Sequence, residues 1–150
     1  MSKSAITIIC AVGVALSLTT GSVRGQDKAT KQEIDHRAEQ INQLAKKPGM
    51  FDTALKGVSV ETGVPLEQIQ AMRKQHSGAG PAAILLASVM ADETKKPASE
   101  FLDKRAGGKT WVAMARDNHV NLDKLAERLD HLEKYLAAGA DQNQNRKRKT

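Results

Sequence analysis

Apolar positions recur at steps of three and four along most of this chain, the spacing of one face of an α-helix. Residues 27–47 carry Ile34, Ala38, Ile41, Leu44 and Ala45 on such a stripe, and Pro48-Gly49 closes it. Asp27 or Thr30 is placed to cap its start. Residues 51–62 predict a second short helix with Phe51, Leu55 and Val58 inward, and Gly63 supplies a left-handed stop. Pro65 opens a third helix, through about His76, with Leu66, Ile69 and Met72 as its stripe. Proline suits a first helical turn because its missing N–H has no intrahelical partner there. Ser77-Gly78-Ala79-Gly80 reads as a flexible joint. Pro81 then starts a fourth helix, in which Ile84, Leu85, Leu86, Val89 and Met90 spread over most of the circumference. A helix that is apolar nearly all round is buried on most sides, so this one is expected at the centre. Asp92 to Lys96 leaves it, and Pro97 opens a short fifth helix with Phe101 and Leu102, stopped by Gly107-Gly108. Lys109 to Asn118 is a sixth, carrying Trp111, Met114 and Ala115. Asn121 caps the seventh, along which Leu122, Leu125, Leu129, Leu132 and Leu136 alternate steps of three and four until Gly139 terminates it. The closing DQNQNRKRKT has no apolar residue and is expected to be disordered. The predicted class is all-α: about seven short helices in one compact domain, with two helical hairpins packed on a central apolar helix.

The first 25 residues break this pattern. Lys3 supplies a positive start, Ala5 to Leu18 is an apolar run broken only by Thr7, Gly13 and Ser17, and small polar residues follow. That is the layout of a secretory signal peptide. As a helix the run spans roughly 21 Å, short of the ~30 Å hydrocarbon core that an anchor must cross. Val23 and Gly25 fit the small-residue pattern before a cut at Gln26, and Thr19 and Gly21 offer a second site. Cys10 lies inside the apolar core of the signal, behind Thr7-Ile8-Ile9, which is the wrong place for lipid attachment. The expected organisation is a signal peptide over 1–25, a helical domain over 26–139 and a basic tail over 140–150. Export then implies a periplasmic or extracellular protein with no stable membrane span once the signal is removed.

Two segments repeat one pattern. In LKGVSVETGVPLEQI (55–69) and WVAMARDNHVNLDKL (111–125), Leu55 aligns with Trp111, Val58 with Met114, Val64 with Val120, Leu66 with Leu122 and Ile69 with Leu125. Each reads as helix, tight turn, helix, with the turn valine inserted between the two. The second copy resembles the helix-turn-helix of bacterial DNA-binding proteins, and the first looks similar. That resemblance implies a second helix entering the major groove with polar and basic residues near its start. Here those positions hold Asn121, Asp123 and Lys124 in one copy and Glu67, Gln68 and Gln70 in the other, and the acidic members repel phosphate. More broadly, the chain resembles the uncharacterised small exported helical proteins of bacteria.

Composition narrows the chemistry. A chain of 150 residues predicts one domain. Cys10 is the sole cysteine and leaves with the signal, so no disulfide or thiolate centre is expected in what remains. Aromatic residues are few (Phe51, Phe101, Trp111, Tyr135), so aliphatic side chains must build the core. The net charge of +6 is unevenly placed. Lys3 and Arg24 belong to the signal, and Arg146, Lys147, Arg148 and Lys149 face only Asp141 in the tail, which leaves a nearly neutral body. A neutral body with a basic tail differs from a basic DNA-binding face.

No nucleophile elbow, zinc-protease motif, phosphate loop or paired-cysteine motif is present. His36 lies on a polar helix face, His76 at a helix end, His119 in a turn near Asp117, and His131 off the leucine stripe beside Asp130. A zinc site needs three or four converging ligands, and His119 with Asp117 supplies two. Asp92-Glu93 is a carboxylate pair, but hydrolysis of sugars needs two acids facing across a cleft. The expectation is therefore no catalytic residue, no cofactor and no metal. The expected role is non-enzymatic binding of a protein or an anionic envelope surface, with Arg146, Lys147, Arg148 and Lys149 as the candidate contact residues. The Leu122–Leu136 stripe offers either a core face or a seam for a second copy. A nucleic-acid-binding protein and a cell-wall enzyme with an unrecognised site are the alternatives.

Overall fold

A computed structural model of the chain describes the backbone of residues 23–147 and the side chains of residues 33–141. Among these run α1 (Val23–Ala45), α2 (Met50–Thr62), α3 (Leu66–Gln75), α4 (Pro81–Thr94), α5 (Ala98–Ala106), α6 (Trp111–Asp117) and α7 (Leu122–Lys147), with no strand. The fold is all-α. The predicted export segment through Ser22, and Arg148 to Thr150, lie outside the described residues.

α4 is the centre. Every residue from Pro81 to Met90 is buried, because this helix has no polar face to present to water. α1, α2, α5 and α7 pack around it, while α3 rests mainly on α2. Each surrounding helix turns one stripe inward. α1 contributes Ile34, Ala38, Ile41 and Ala45, and α2 contributes Ala54, Leu55 and Val58. From α7 come Leu125, Leu129, Leu132 and Leu136, all at most 1% exposed. The leucine stripe is thus the inner face of a core helix. Leu122, at the start of the stripe, is half-buried against the same core.

The turns explain where helices stop. Gly63 ends α2 in the left-handed region at φ 69°, with its N–H donating to Ser59 O at 2.9 Å. His119 holds the matching place after α6 at φ 56°. There His119 N–H donates to Arg116 O (3.1 Å) and Val120 N–H to Ala115 O (2.8 Å), a Schellman closure. Asn121 Oδ1 then accepts from Asp123 N–H at 2.8 Å, which caps α7 as its sequence position predicts.

Two boundaries differ from expectation. α1 begins at Val23, so it includes the last three residues assigned to the signal, and Asp27 and Thr30 lie inside it rather than at its cap. α7 does not stop at Gly139 but continues to Lys147, so most of the tail expected to be disordered is helical. Gly139 serves close packing instead: a Cβ there would stand 2.7 Å from Thr53 Cγ2. Gly57 does the same from the other side, since its Cβ would meet Leu132 and Tyr135 at 2.8 Å, and together these glycines let α2 and α7 approach closely. Past Gly139 the chain is polar but rich in Gln, Arg and Lys, which are tolerant of helix, and its positive charges suit a helix C-terminus. Within the Ser77–Gly80 joint only the last residue is closely packed: a Cβ on Gly80 would lie 2.2 Å from Asn42 Oδ1, while one on Gly78 would meet nothing within 4 Å.

Candidate functional site

A cleft of about 510 Å³ lies between α1, the α3–α4 joint, α5 and the start of α6. Its geometry follows from how helix ends are satisfied. The first N–H groups of a helix have no intrahelical partner. Gly80 and Pro81 carry no capping side chain for α4, and the cap arrives from α1: Ala82 N–H donates to Asn42 Oδ1 at 3.0 Å. One heptad earlier on α1, Asp35 does the same for α6. It accepts from Trp111 N–H at 3.1 Å and from Val112 N–H at 3.5 Å. Thr110 Oγ1 takes the next donor, Ala113 N–H, at 3.2 Å. α1 therefore ties down the starts of two other helices.

Arg105 and His76 complete the polar lining. The Arg105 guanidinium lies 5.9 Å from the centre of the Trp111 ring and 3.5 Å from Asp35 Oδ1, and it donates to Lys109 O at 3.3 Å. His76 Nδ1 sits 3.3 Å from Asp103 Oδ1. Glu39 accepts from Gln43 at 2.6 Å. The other walls are small: Ala38, Ala79, Ala83 and Ala106, with Gly78 and Gly80. These polar groups mostly hold one helix to another, and the space they leave admits a small ligand or a side chain.

A second cluster joins α2 to α7. Arg128 donates to Glu61 Oε2 at 3.2 Å and to Glu61 O at 3.1 Å, and His131 Nδ1 lies 3.1 Å from the same carboxylate oxygen. A third joins α1 to α7: Arg37 donates to Glu133 (3.0 Å) and Asp130 (3.3 Å). Burial alone lowers the pKa of Arg37, but hydrogen bonds and charge from Glu133 and Asp130 outweigh it, so the guanidinium is held more firmly protonated. The hydrogen bond from Lys134, and then Arg37, holds Asp130 below the usual carboxylate range.

The residues singled out from sequence do not converge. His36 and His119 are exposed. His76 is half-buried in its ion pair with Asp103, not a solvated surface group, and His131 is spent on Glu61. Asp92 pairs with Lys95 at 3.2 Å while Glu93 pairs with Lys124, so the two neighbours point to different partners. Among the described residues, no three His, Cys, Asp or Glu side chains gather as a metal site would need. Arg146 and Lys147 end α7, while Arg148 and Lys149 lie outside the described residues. Sequence reasoning missed Asp35, Asn42 and Glu61. Each acts on a partner more than 35 positions away in the chain, and nothing in the local pattern marks them.

No helix among the described residues is long and apolar enough to cross a membrane. No family model matches the chain, and no curated protein or solved structure matches it.

Proposed function

We propose that this is an exported protein that acts by binding, to another protein or to the anionic cell envelope, rather than by catalysis. The observation that carries the reading is the lining of the 510 Å³ cleft. Two of its three ionisable groups are committed to carboxylates beyond the lining, His76 to Asp103 and Arg105 to Asp35, and the third, Glu39, accepts from Gln43 on the next turn of α1. An acid–base catalyst needs a proton-transfer group aimed at substrate, and these groups are aimed at the fold. The N-terminal layout of charge, apolar run and small residues supports export. The basic end of the chain, Arg146 to Lys149, supports contact with an anionic partner. Crosslinked pull-down from the envelope fraction tests the role. A discrete partner, retained when Glu39→Gln and His76→Gln are introduced into the cleft, agrees with it. A hydrolytic activity lost in those same variants contradicts it.

A second reading is favoured by one observation. The two segments that share an apolar pattern also share a left-handed residue at the same place, Gly63 and His119, and bury Leu55, Val58 and Ile69 as they bury Trp111, Met114 and Leu125. That supports a duplicated hairpin of helix-turn-helix type, hence nucleic-acid binding. Against it, Glu67 and Asp123 sit in the first turns of α3 and α7, where phosphate would approach. Salt-dependent retention on duplex DNA by a cytosolic form of the chain would favour this second reading over the first.

A further inference from the structure

We propose that the 510 Å³ cleft holds the carboxylate end of a peptide, the C-terminus of a partner polypeptide; this rests on the binding role above and names the chemistry of its partner. The volume lies within the ~300–1,000 Å³ of sites that enclose small ligands. The floor is apolar: Ala38, Ala83, Leu102 and Trp111 are each at most 7% exposed. Around it stand polar groups that the fold uses only in part. Arg105 Nη1 donates to Lys109 O and lies near Asp35, but Nε and Nη2 have no partner among the described residues. Asp35 in turn gives both its oxygens to the N–H groups of Trp111 and Val112. Asn42 accepts from Ala82 N–H through Oδ1, and its Nδ2 has no partner among the described residues. Glu39 accepts from Gln43 through Oε1 and keeps Oε2. The bonds that take these groups out of proton transfer also hold them still, so little freedom is lost when a ligand arrives.

These groups match one class of ligand. The planar fork of a guanidinium takes a carboxylate on two parallel N–H bonds. Glu39 and Asn42 stand one turn apart on α1, with Cβ atoms ~5–6 Å from each other, and set an acceptor beside a donor. An amide offers the reverse pair, an N–H and a C=O. The acceptor works through a lone pair, so Glu39 needs no charge for it. A carboxylate joined to an amide and to an apolar side chain is the end of a peptide. A nucleotide fits worse, because Glu39 and Asp35 stand beside the lining's arginine and oppose phosphate. A sugar fits worse because Trp111, 1% exposed and with Arg105 over its ring, has no free face for the sugar to stack on.

Trp111 is the chain's sole tryptophan and lines the cleft, so its fluorescence reports on this site. The full chain, in the form that cells produce, is titrated with N-acetylated tripeptides that end in alanine, valine, leucine or phenylalanine. Each is used as the free acid and as the C-terminal amide, and titration calorimetry accompanies the fluorescence. At least one free acid is expected to bind, with its amide about tenfold weaker because the charged contact to Arg105 is lost. Arg105→Gln is expected to abolish the difference between acid and amide. Gly78→Leu is expected to weaken the free acids by a similar factor. Gly78 is exposed on the cleft wall and a Cβ there meets nothing within 4 Å, so the substitution narrows the mouth and spares the fold. Circular dichroism checks that both variants are folded. Equal binding of acid and amide, binding of none of the peptides, or a folded Gly78→Leu variant that binds like the parent overturns the proposal. So does free leucine that binds as tightly as the best tripeptide, since that describes a site for amino acids. A partner captured from the envelope fraction while no tripeptide binds would overturn this inference and leave the binding role standing.

Discussion

His119 carries a cost that Gly63 avoids. Both occupy the left-handed region at the end of a helix, at φ 56° and 69°. A Cβ there crowds the following carbonyl, and glycine has none. His119→Gly is therefore expected to raise stability by about 0.5–1 kcal/mol, and Gly63→Ala to lower it by about 1 kcal/mol. Urea denaturation midpoints measure both. The opposite order would show that the His119 side chain supplies something the turn needs. Ionisable residues give a second expectation at this scale. Hydrogen bonds from Lys104 to Glu100, from Lys109 to Asp117 and from Lys134 to Asp130 hold these carboxyls below their ordinary values. A carboxyl depressed in the folded state stabilises the fold above its unfolded pKa, near pH 4, and that contribution is lost as pH falls through the folded value. All three pairs lie at the surface, so the effect is small and salt-screened. The triple variant Glu100→Gln, Asp117→Asn, Asp130→Asn should show a flatter loss of thermal stability between pH 5 and pH 2 than the parent. An unchanged acid slope would mean the pairs do not persist in solution.

Among the elements, α1 fixes the starts of two others, the central α4 and α6. Its apolar stripe meets α4 and α7, and Asn42 and Asp35 cap α4 and α6 from outside. Loss of a cap costs about 1 kcal/mol, more where a charge partner goes too. Asn42→Ala is expected to cost about 1 kcal/mol, and Asp35→Ala about 1–2 kcal/mol because Arg105 also loses a neighbour. The two sites are about 10 Å apart along α1 and share no partner, so the double variant should show the sum of the single effects. Strong non-additivity in chemical denaturation would point to a coupling between the two helix starts that these contacts do not contain. The same helix shows what a sequence withholds. Periodicity places α1 and its inner face, because burial imposes a local spacing. It is silent on which distant N–H group a polar flank residue will meet.

For the whole molecule, the dominant fact is a helix with no polar face. Ten buried residues in a row from Pro81 to Met90 force the other helices to surround α4. That is why the class, the central element and the inner stripes could be read from aliphatic spacing alone. What could not be read has a physical cause in each case. Gly139 looks like a terminator in sequence but is a contact point with Thr53, a distinction that depends on the neighbouring helix. The leucines of α7 fit a core face and an intermolecular seam equally until their neighbours are known. The 510 Å³ cleft is assembled from four separate stretches of chain and leaves no motif in any of them. The candidate contact residues Arg146 to Lys149, by contrast, stand out in sequence because charge clustering is local. Their role depends on compartment, since a basic tail meets different polyanions inside and outside the cell.

N-terminal sequencing of the protein recovered from fractionated cells decides whether the chain is exported and trimmed. The expected result is an exported form that starts at Gln26, or shortly after Gly21, and keeps Asp35 and Asn42 in place to cap their helices. A chain that begins at Met1 and stays in the cytosol would contradict it.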